Sequence, residues 1–547
     1  MHGIEVILGL LLFVGALAWA AARLNVPYPV LLVVGGLALG FVPRLPTVAL
    51  HHEVVFLLFL PPILFYAALL TSWRDFKANL RPISLLAIGL VLFTTCAVAV
   101  VARWLVPGMP WAAAFVLGAI VSPPDAVAAT AVTQRLRVPK WVVTILEGES
   151  LVNDASALVA YRVAVVAVII PGAFSLAGAT GQFIIAAVGG VVIGLLAGML
   201  AAWIHPRLRD NSVEAMFTLL TPYLAYLPAE WLHLSSVLSV VTCGLYLARR
   251  LDQITTARTR LRAFAAWDTL IFLLNGLVFI LIGLQLPGIV RGLAREPAGG
   301  ASLGRAVAYA AAVSAVAIIV RMVWVFAATY VPRLLSRSIR ERFPAPPWQQ
   351  VSVIAWTGMR GVVSLAAALA LPPLLADGVT PFPHRDLITF ITFGVILATL
   401  VLQGLTLPAL IRWLRLGEMA EARDEEEVTA RYLAALAAVE RLDALGPAAS
   451  ARGEVPRERL ARVRAAYDER VAYFSRLLGA DEAGDAAAAG MDAEIVACET
   501  TESMEREAIA AERQMVIRLR DQGVIGDEIL RRIQSELDHE ESRLEGG

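Results

Sequence analysis

The fold class this 547-residue sequence predicts is an all-α polytopic membrane protein of about 13 transmembrane helices followed by a helical tail. Three observations predict it. The chain is 58% hydrophobic and only 17% charged, with a mean hydropathy of +0.70; soluble domains carry about 25% charged residues. Its apolar residues gather into stretches of membrane length separated by Arg, Pro or polar loops. The formal net charge of zero is a cancellation: after Gly417 there are 30 Asp and Glu against 17 Arg and no Lys, a net of −13, and the rest of the chain is +13. Two domains are therefore expected, residues 1–416 in the membrane and 417–547 as an acidic helical domain in the cytosol.

The apolar stretches fall near 4–22, 27–43, 53–71, 83–106, 111–133, 141–170, 177–204, 212–228, 232–248, 266–287, 303–331, 350–373 and 386–412. About 20 apolar residues in a helix cover the ~30 Å of a hydrocarbon core, so each stretch is a candidate span. The first is longer than a signal-peptide core and has no basic residue before it, which predicts a retained span. The eighth and ninth are the weakest, being short and sharing Pro228, Glu230 and His233 in their connection. Basic residues concentrate in loops after odd-numbered spans, among them Arg74, Lys77 and Arg81, then Arg135, Arg137 and Lys140, then Arg249, Arg250 and Arg258. The positive-inside rule then places the amino terminus outside and the carboxyl terminus in the cytosol, as an odd number of spans requires. In the tail, 428–445, 457–478 and 502–519 have helical apolar spacing, separated at Gly446-Pro447 and at 479–490.

Cys96, Cys243 and Cys498 lie far apart, so neither a disulfide framework nor a zinc site is expected. The tail contains no nucleophile, phosphate loop or metal cluster, and neither an organic cofactor nor a nucleic-acid partner is indicated. Chemistry is expected within the membrane. The sixth span is interrupted by Glu147-Gly148-Glu149-Ser150-Leu151-Val152-Asn153-Asp154. An ionisable group at bilayer depth costs roughly 2.5–3.5 kcal/mol on insertion scales, so such a group marks an ion or proton path, or else a pairing with a neighbouring helix. On a helix Glu149 and Asn153 are one turn apart, as are Ser150 and Asp154 on the adjacent face. Carboxylate and hydroxyl oxygens suit a hard monovalent cation, and a carboxylate also holds a proton. One Asp serving both in turn gives exchange.

The fifth span is broken at Ser122-Pro123-Pro124-Asp125, where the prolines deprive the carbonyls one turn back, at Ala119 and Ile120, of their donors. Irregular backbone at this depth is tolerated where protein buries it or where it lines a watery cavity. Asp125 is expected to start the following half-helix, at the positive end of its dipole. In the twelfth span Gly358 and Gly361 bracket Arg360. An arginine there needs a partner, and Glu149 is the expected one, with Asn153 assisting. Arg321 in the eleventh span also needs a partner, and the sequence suggests none. Interruptions seven spans apart fit inverted repeats of spans 1–6 and 8–13, a sequence pointer to a midplane site in a secondary transporter.

Gly148-Glu149-Ser150-Leu151-Val152-Asn153-Asp154 resembles the Gly-Glu-Ser-x-x-Asn-Asp motif of the sodium/proton exchanger family, in its monovalent cation:proton antiporter-1 group, bacterial members. Phe59-Leu60-Pro61-Pro62, Ser122-Pro123-Pro124-Asp125, Asn275 with Gly283-Leu284-Gln285, and Gly358-Met359-Arg360-Gly361 extend the resemblance over roughly 5–415. It implies crossed, discontinuous helices at spans five and twelve, a homodimer in the bacterial cytoplasmic membrane, and Asp154 as the cation- and proton-binding carboxylate with Ser150 as a candidate ligand. Asn153, Asp125 and Ser122 complete the expected cation and proton site, and Arg360 would stabilise Glu149 and Asn153. The Asn-Asp pair implies electroneutral exchange of one cation for one proton, with Na⁺ as the expected cation in pH and sodium homeostasis and K⁺ or Li⁺ as alternatives. Phe65 and Tyr66 stand where some relatives carry an acid, and Pro124 where some carry a hydroxyl, which bears on selectivity. Two other classes compete. An intramembrane aspartyl hydrolase would use Asp125 and Asp154 but lacks the expected Gly-x-Gly-Asp pattern, and a cation channel or sensor would need no alternating site.

Overall fold

Helices account for nearly all the regular structure in the computed structural model, which describes residues 2–24, 26–42, 52–125, 130, 138–170, 175–208, 210–255, 257–295, 302–342, 345–416, 422–451, 457–478 and 501–544. An isolated bridge between Leu374 and Pro381 is the extended pairing among the described residues. The chain divides into two compact units, one of Met1–Arg209, Met216–Ile254 and Ala266–Gly417, the other of Asp210–Ala215, Thr255–Ala265 and Glu418–Gly547.

The first unit is built from α1 (His2–Leu24), α2 (Tyr28–Gly40), α3 (Leu60–Leu70), α4 (Val91–Leu105), α5 (Trp111–Val121), α6 (Lys140–Ile169), α7 (Leu176–Ile204), most of α8 (Asn211–Trp231), α9 (Ser236–Ala248), most of α10 (Ala257–Leu284), α11 (Leu303–Leu335), α12 (Trp348–Trp356), α13 (Val362–Leu369) and α14 (Arg385–Trp413). Among the described residues six helical segments are long and apolar enough to cross a membrane: Leu80–Leu105, Trp141–Ile169, Ala177–Arg207, Thr259–Leu293, Leu303–Leu335 and Arg385–Trp413. Shorter apolar helices at Leu8–Leu24, Tyr28–Gly40, Val55–Leu70, Trp111–Val121 and Ser236–Ala248 fill in between. Pro222 and Pro228 both lie inside α8, so the connection to α9 comes after Trp231, later than the sequence suggests.

Where apolar helices meet in lipid, little drives them together beyond close packing, and small residues let backbones approach. The structure uses this repeatedly. A Cβ on Gly36 of α2 would strike the carbonyl of Ile280 in α10, and one on Gly283 of α10 would strike that of Val33 in α2. Gly118 places α5 against the Thr95 carbonyl of α4, and Gly194 places α7 against the Ser239 carbonyl of α9.

The second unit contains α15 (Ala422–Ala451), α16 (Arg457–Leu478), α17 (Thr501–Gln522) and α18 (Asp527–Leu544). The helix α15 runs on through Gly446-Pro447, where the sequence suggests a break, and ends at Ala451; the proline denies the Asp443 carbonyl its donor without stopping the helix at that point. A leucine, isoleucine and alanine core joins α15, α17 and α18 through Leu433, Ile509, Val516, Ile529 and Ile533. Tyr467 of α16 joins Leu442, Leu445, Met504 and Ala508 in a second cluster.

Candidate functional site

The fifth span's first half, α5, ends at Val121 as its prolines require, and Ser122 follows as the C-cap. The Ser122 hydroxyl donates to the Ala119 carbonyl at 3.0 Å, which answers one of the acceptors that the prolines leave without an N–H. The residues after Asp125 that would form the expected second half-helix lie outside the described residues. The twelfth span is broken as predicted: α12 stops at Trp356, α13 starts at Val362, and 357–361 between them are non-helical and buried.

The two interruptions are bonded to each other. The Asp125 amide N–H donates to the Met359 carbonyl at 2.7 Å. Gly361 is needed at this approach, because a Cβ there would overlap the Asp125 carboxylate. From α6, the Asn153 side-chain amide donates to the Pro124 carbonyl at 2.8 Å. Its other atom, Oδ1, is buried and has no hydrogen-bond partner among the described residues. A buried acceptor left open costs ~1–3 kcal/mol unless something occupies it, which makes Oδ1 an oxygen available to a cation or water. Asp154, 7% exposed, follows on α6 with Ser150 one turn before it and half-buried. Asp125 is near enough to Asp154 for their charges to act on each other. The structure thus brings Asp125, Asn153 and Asp154 together where the two breaks meet, with Ser122 in the first of them.

The expected Glu149–Arg360 pair is not formed. Glu149, 1% exposed, is held by Arg321 of α11, whose guanidinium donates to both carboxylate oxygens at 2.5 and 2.8 Å. Arg321 also reaches the Ile354 carbonyl in the last turn of α12 at 3.0 Å. Arg360 instead donates from Nε to the Val121 carbonyl at 3.0 Å and from a terminal nitrogen to the Gly358 carbonyl. Its own amide donates to the Thr399 hydroxyl of α14 at 3.1 Å. The reason is physical. Each broken helix ends in carbonyls without donors and a negative dipole end, which favours a cation. Arg360 serves the end of α5, and Arg321 serves the end of α12 while also neutralising Glu149. Gly358 makes room for both, since a Cβ there would lie 2.5 Å from the Arg321 side chain and 3.1 Å from that of Arg360. The signal that could have found this is the helix end that Pro123-Pro124 impose on α5: it exposes terminal carbonyls, that of Val121 among them, and once Arg360 is assigned to this end Glu149 is left for Arg321.

Other polar residues of the spans have local roles. The Tyr66 hydroxyl of α3 donates to Asp268 of α10, beside a stack of the Tyr66 and Trp267 rings 5.4 Å apart. Gln285 donates back to the Leu281 carbonyl at 3.3 Å, and Arg162 pairs with Glu230 of α8 at 3.2 Å. Asn275 is buried.

A buried carboxylate beside two helix breaks bonded to each other suits ion exchange, and comparison with known proteins decides the family. Residues 9–413 match the family described as "Sodium/hydrogen exchanger, transmembrane". The chain belongs to the sodium/hydrogen exchanger family. It is a secondary transporter, a monovalent cation/proton antiporter that spans the membrane several times. Over 544 residues, 100% of this chain and 96% of the relative, the antiporter is 38% identical to an uncharacterized Na⁺/H⁺ exchanger of Mycobacterium tuberculosis. It is 34% identical to the Na⁺/H⁺ antiporter ApNhaP of Aphanothece halophytica over 78% of this chain and 77% of that one. With the sodium, potassium, lithium and rubidium/H⁺ antiporter of Bacillus subtilis it shares 34% identity over 70% of this chain and 58% of that protein. The fold is similar to that of the sodium proton antiporter MjNhaP1 from Methanocaldococcus jannaschii, with a TM-score of 0.58 at 21% identity, covering 76% of this chain and 100% of that one.

Proposed function

We propose that this antiporter exchanges cytosolic Na⁺ for external protons, one for one, across a bacterial cytoplasmic membrane, and that Asp154 is the carboxylate that binds the two in turn. The observation that carries the reading is the buried Asp154 on α6 next to Asn153, whose amide is anchored to the Pro124 carbonyl and whose Oδ1 is open. Proton and cation compete for one charge, so release of one on each side of the membrane is coupled to uptake of the other. Asn153 Oδ1, the Ser150 hydroxyl, Asp125 and Ser122 are the oxygens from which cation ligands are drawn. Glu149 with Arg321 forms a neutral scaffold that holds α6 in register. A bundle of spans four to six and eleven to thirteen moves against the remainder, the amino terminus is outside, and the antiporter works as a homodimer in pH and sodium homeostasis.

Selectivity broader than Na⁺ is the second reading, favoured by the identity to a relative named for sodium, potassium, lithium and rubidium. One experiment addresses both. In everted vesicles, cation-dependent collapse of an imposed pH gradient is followed with Na⁺, K⁺ and Li⁺ in turn, with the membrane potential clamped and unclamped. Wild type is expected to respond first to Na⁺ and equally under both conditions. Asp154→Asn should remove the response to every cation while the purified protein melts as a folded species. Exchange surviving in Asp154→Asn overturns the assignment.

A further inference from the structure

The second unit contains a contiguous charge network that the transport site does not use. Glu512 of α17 is 5% exposed and accepts from Arg470 of α16 at 3.3 Å. Arg470 is also paired with Glu540 of α18, so two carboxylates share one guanidinium. The next residue along α17, Arg513, donates to Asp538 at 2.9 Å and Glu541 at 2.6 Å, both on α18. Asp538 is 3% exposed and accepts a second arginine, Arg260, through both oxygens at 2.5 and 3.0 Å. Arg260 lies in Thr255–Ala265, the segment of this unit that opens α10. Thr259 beside it donates to Glu214 at 2.8 Å, at the start of α8. The tail's last helix is therefore clamped to residues that lead directly into two helices of the membrane domain.

We propose that Glu512 is the titrating element of a latch: neutral, it leaves Arg470 to Glu540 and keeps Asp538 closed on Arg260; ionised, it draws Arg470 away, loosens α18 and frees the start of α10. Glu512 lines a cavity of about 470 Å³ together with Arg431, Glu469, Arg470, Glu536 and Glu540. The charged and titratable groups facing Glu512 are Arg470 and Tyr467 on α16 and Glu540 on α18. On α15, Arg431 lines the same cavity and is taken up by Glu427 and Glu536. Among the described residues, the one Arg470 guanidinium is thus shared by Glu512 and Glu540. Burial, with Glu540 adding to it against the opposing pull of Arg470, lifts the Glu512 carboxyl to about 7. Because its folded value lies above the ordinary 4.5, the packed state holds the proton more tightly than the opened state. Packing is then strongest at acid pH and weakens as pH rises toward neutrality. If the antiporter imports protons, as proposed above, release of the latch in an alkaline cytosol switches on the exchange that corrects it.

The test uses full-length protein and the isosteric Glu512→Gln, which stays neutral. Hydrogen–deuterium exchange, corrected for the intrinsic rate, should show α16 and α18 opening ~20-fold more at pH 8 than at pH 5.5 in wild type, with the change absent in Glu512→Gln. In everted vesicles Glu512→Gln should hold exchange at its acid-side level at pH 8, and Asp538→Asn should give at pH 6.5 the rate that wild type reaches at pH 8. Opening that does not depend on pH, or that depends on it equally in Glu512→Gln, overturns the latch, as does an unchanged pH profile of transport. The exchange reading fails separately, because the deuterium measurement needs no transported ion.

Discussion

Glu149 and Arg321 place opposite charges where neither is tolerable alone, both with about 1% of their surface exposed. Breaking such a pair costs ~3–5 kcal/mol because the survivor stays buried and uncompensated, whereas replacing both partners with apolar residues is often nearly neutral. Arg321→Met is therefore expected to lower the melting temperature of the purified protein sharply. Glu149→Leu combined with Arg321→Met should recover much of the loss, and a double variant no better than the single one counts against the pairing. The same two changes around Arg360 should not compensate, since Arg360 is bonded to carbonyls. The individual charges were legible in the sequence, because each interrupts an apolar run. Their pairing was not, since it depends on how far α11 and α13 are rotated and on which carbonyls the helix breaks expose, and neither is written in spacing along one helix.

The broken elements announced themselves more clearly. Two prolines at 123 and 124 and two glycines around Arg360 sufficed to locate both interruptions, because the loss of backbone donors and of side-chain bulk is a local property. Their mutual contact depends on Gly361. Its backbone is extended, with φ −132° and ψ −153°, so any residue could adopt it; what Gly361 supplies is space for the Asp125 carboxylate. Gly361→Ala should displace Asp125 and reduce cation-dependent exchange by on the order of 10²-fold, the usual penalty for a reacting group misplaced by ~1 Å. Near-normal exchange in vesicles would show that Asp125 is not held there for transport. In the tail, the sequence pointed to three helical stretches and missed α18, whose many charges mask an apolar face formed by Ile529, Leu530, Ile533 and Leu537.

At the scale of the whole chain, charge distribution carries the argument. The basic loops predict that residue 77 faces the cytosol. In a cysteine-free background, Lys77→Cys should be protected from an impermeant thiol reagent in intact cells and labelled in everted vesicles, and the reverse pattern would invert the proposed topology. The second unit is acidic in composition, and Arg431, Arg441, Arg464, Arg470, Arg513 and Arg532 are held in ion pairs, so its stability should depend on pH. Glu512 contributes with a definite sign. Between about 4.5 and about 7 the unit loses stability as pH rises, by a few kcal/mol at most, and above that window the term is constant. Composition points to a separate body after Gly417, but not to residues 210–215 and 255–265 grouping with it, because those segments belong to helices whose remaining turns read as membrane spans.

The bond from the Asp125 amide to the Met359 carbonyl has a mechanical consequence. Pulling the two breaks apart would strand a donor and an acceptor at bilayer depth, each at a penalty of several kcal/mol. The contact between the two breaks is accordingly stiff where irregular backbone would otherwise be softest. In the exchange cycle proposed above, the two breaks should therefore travel as one body, and the barrier should lie in sliding that body past its surroundings and not in reshaping it.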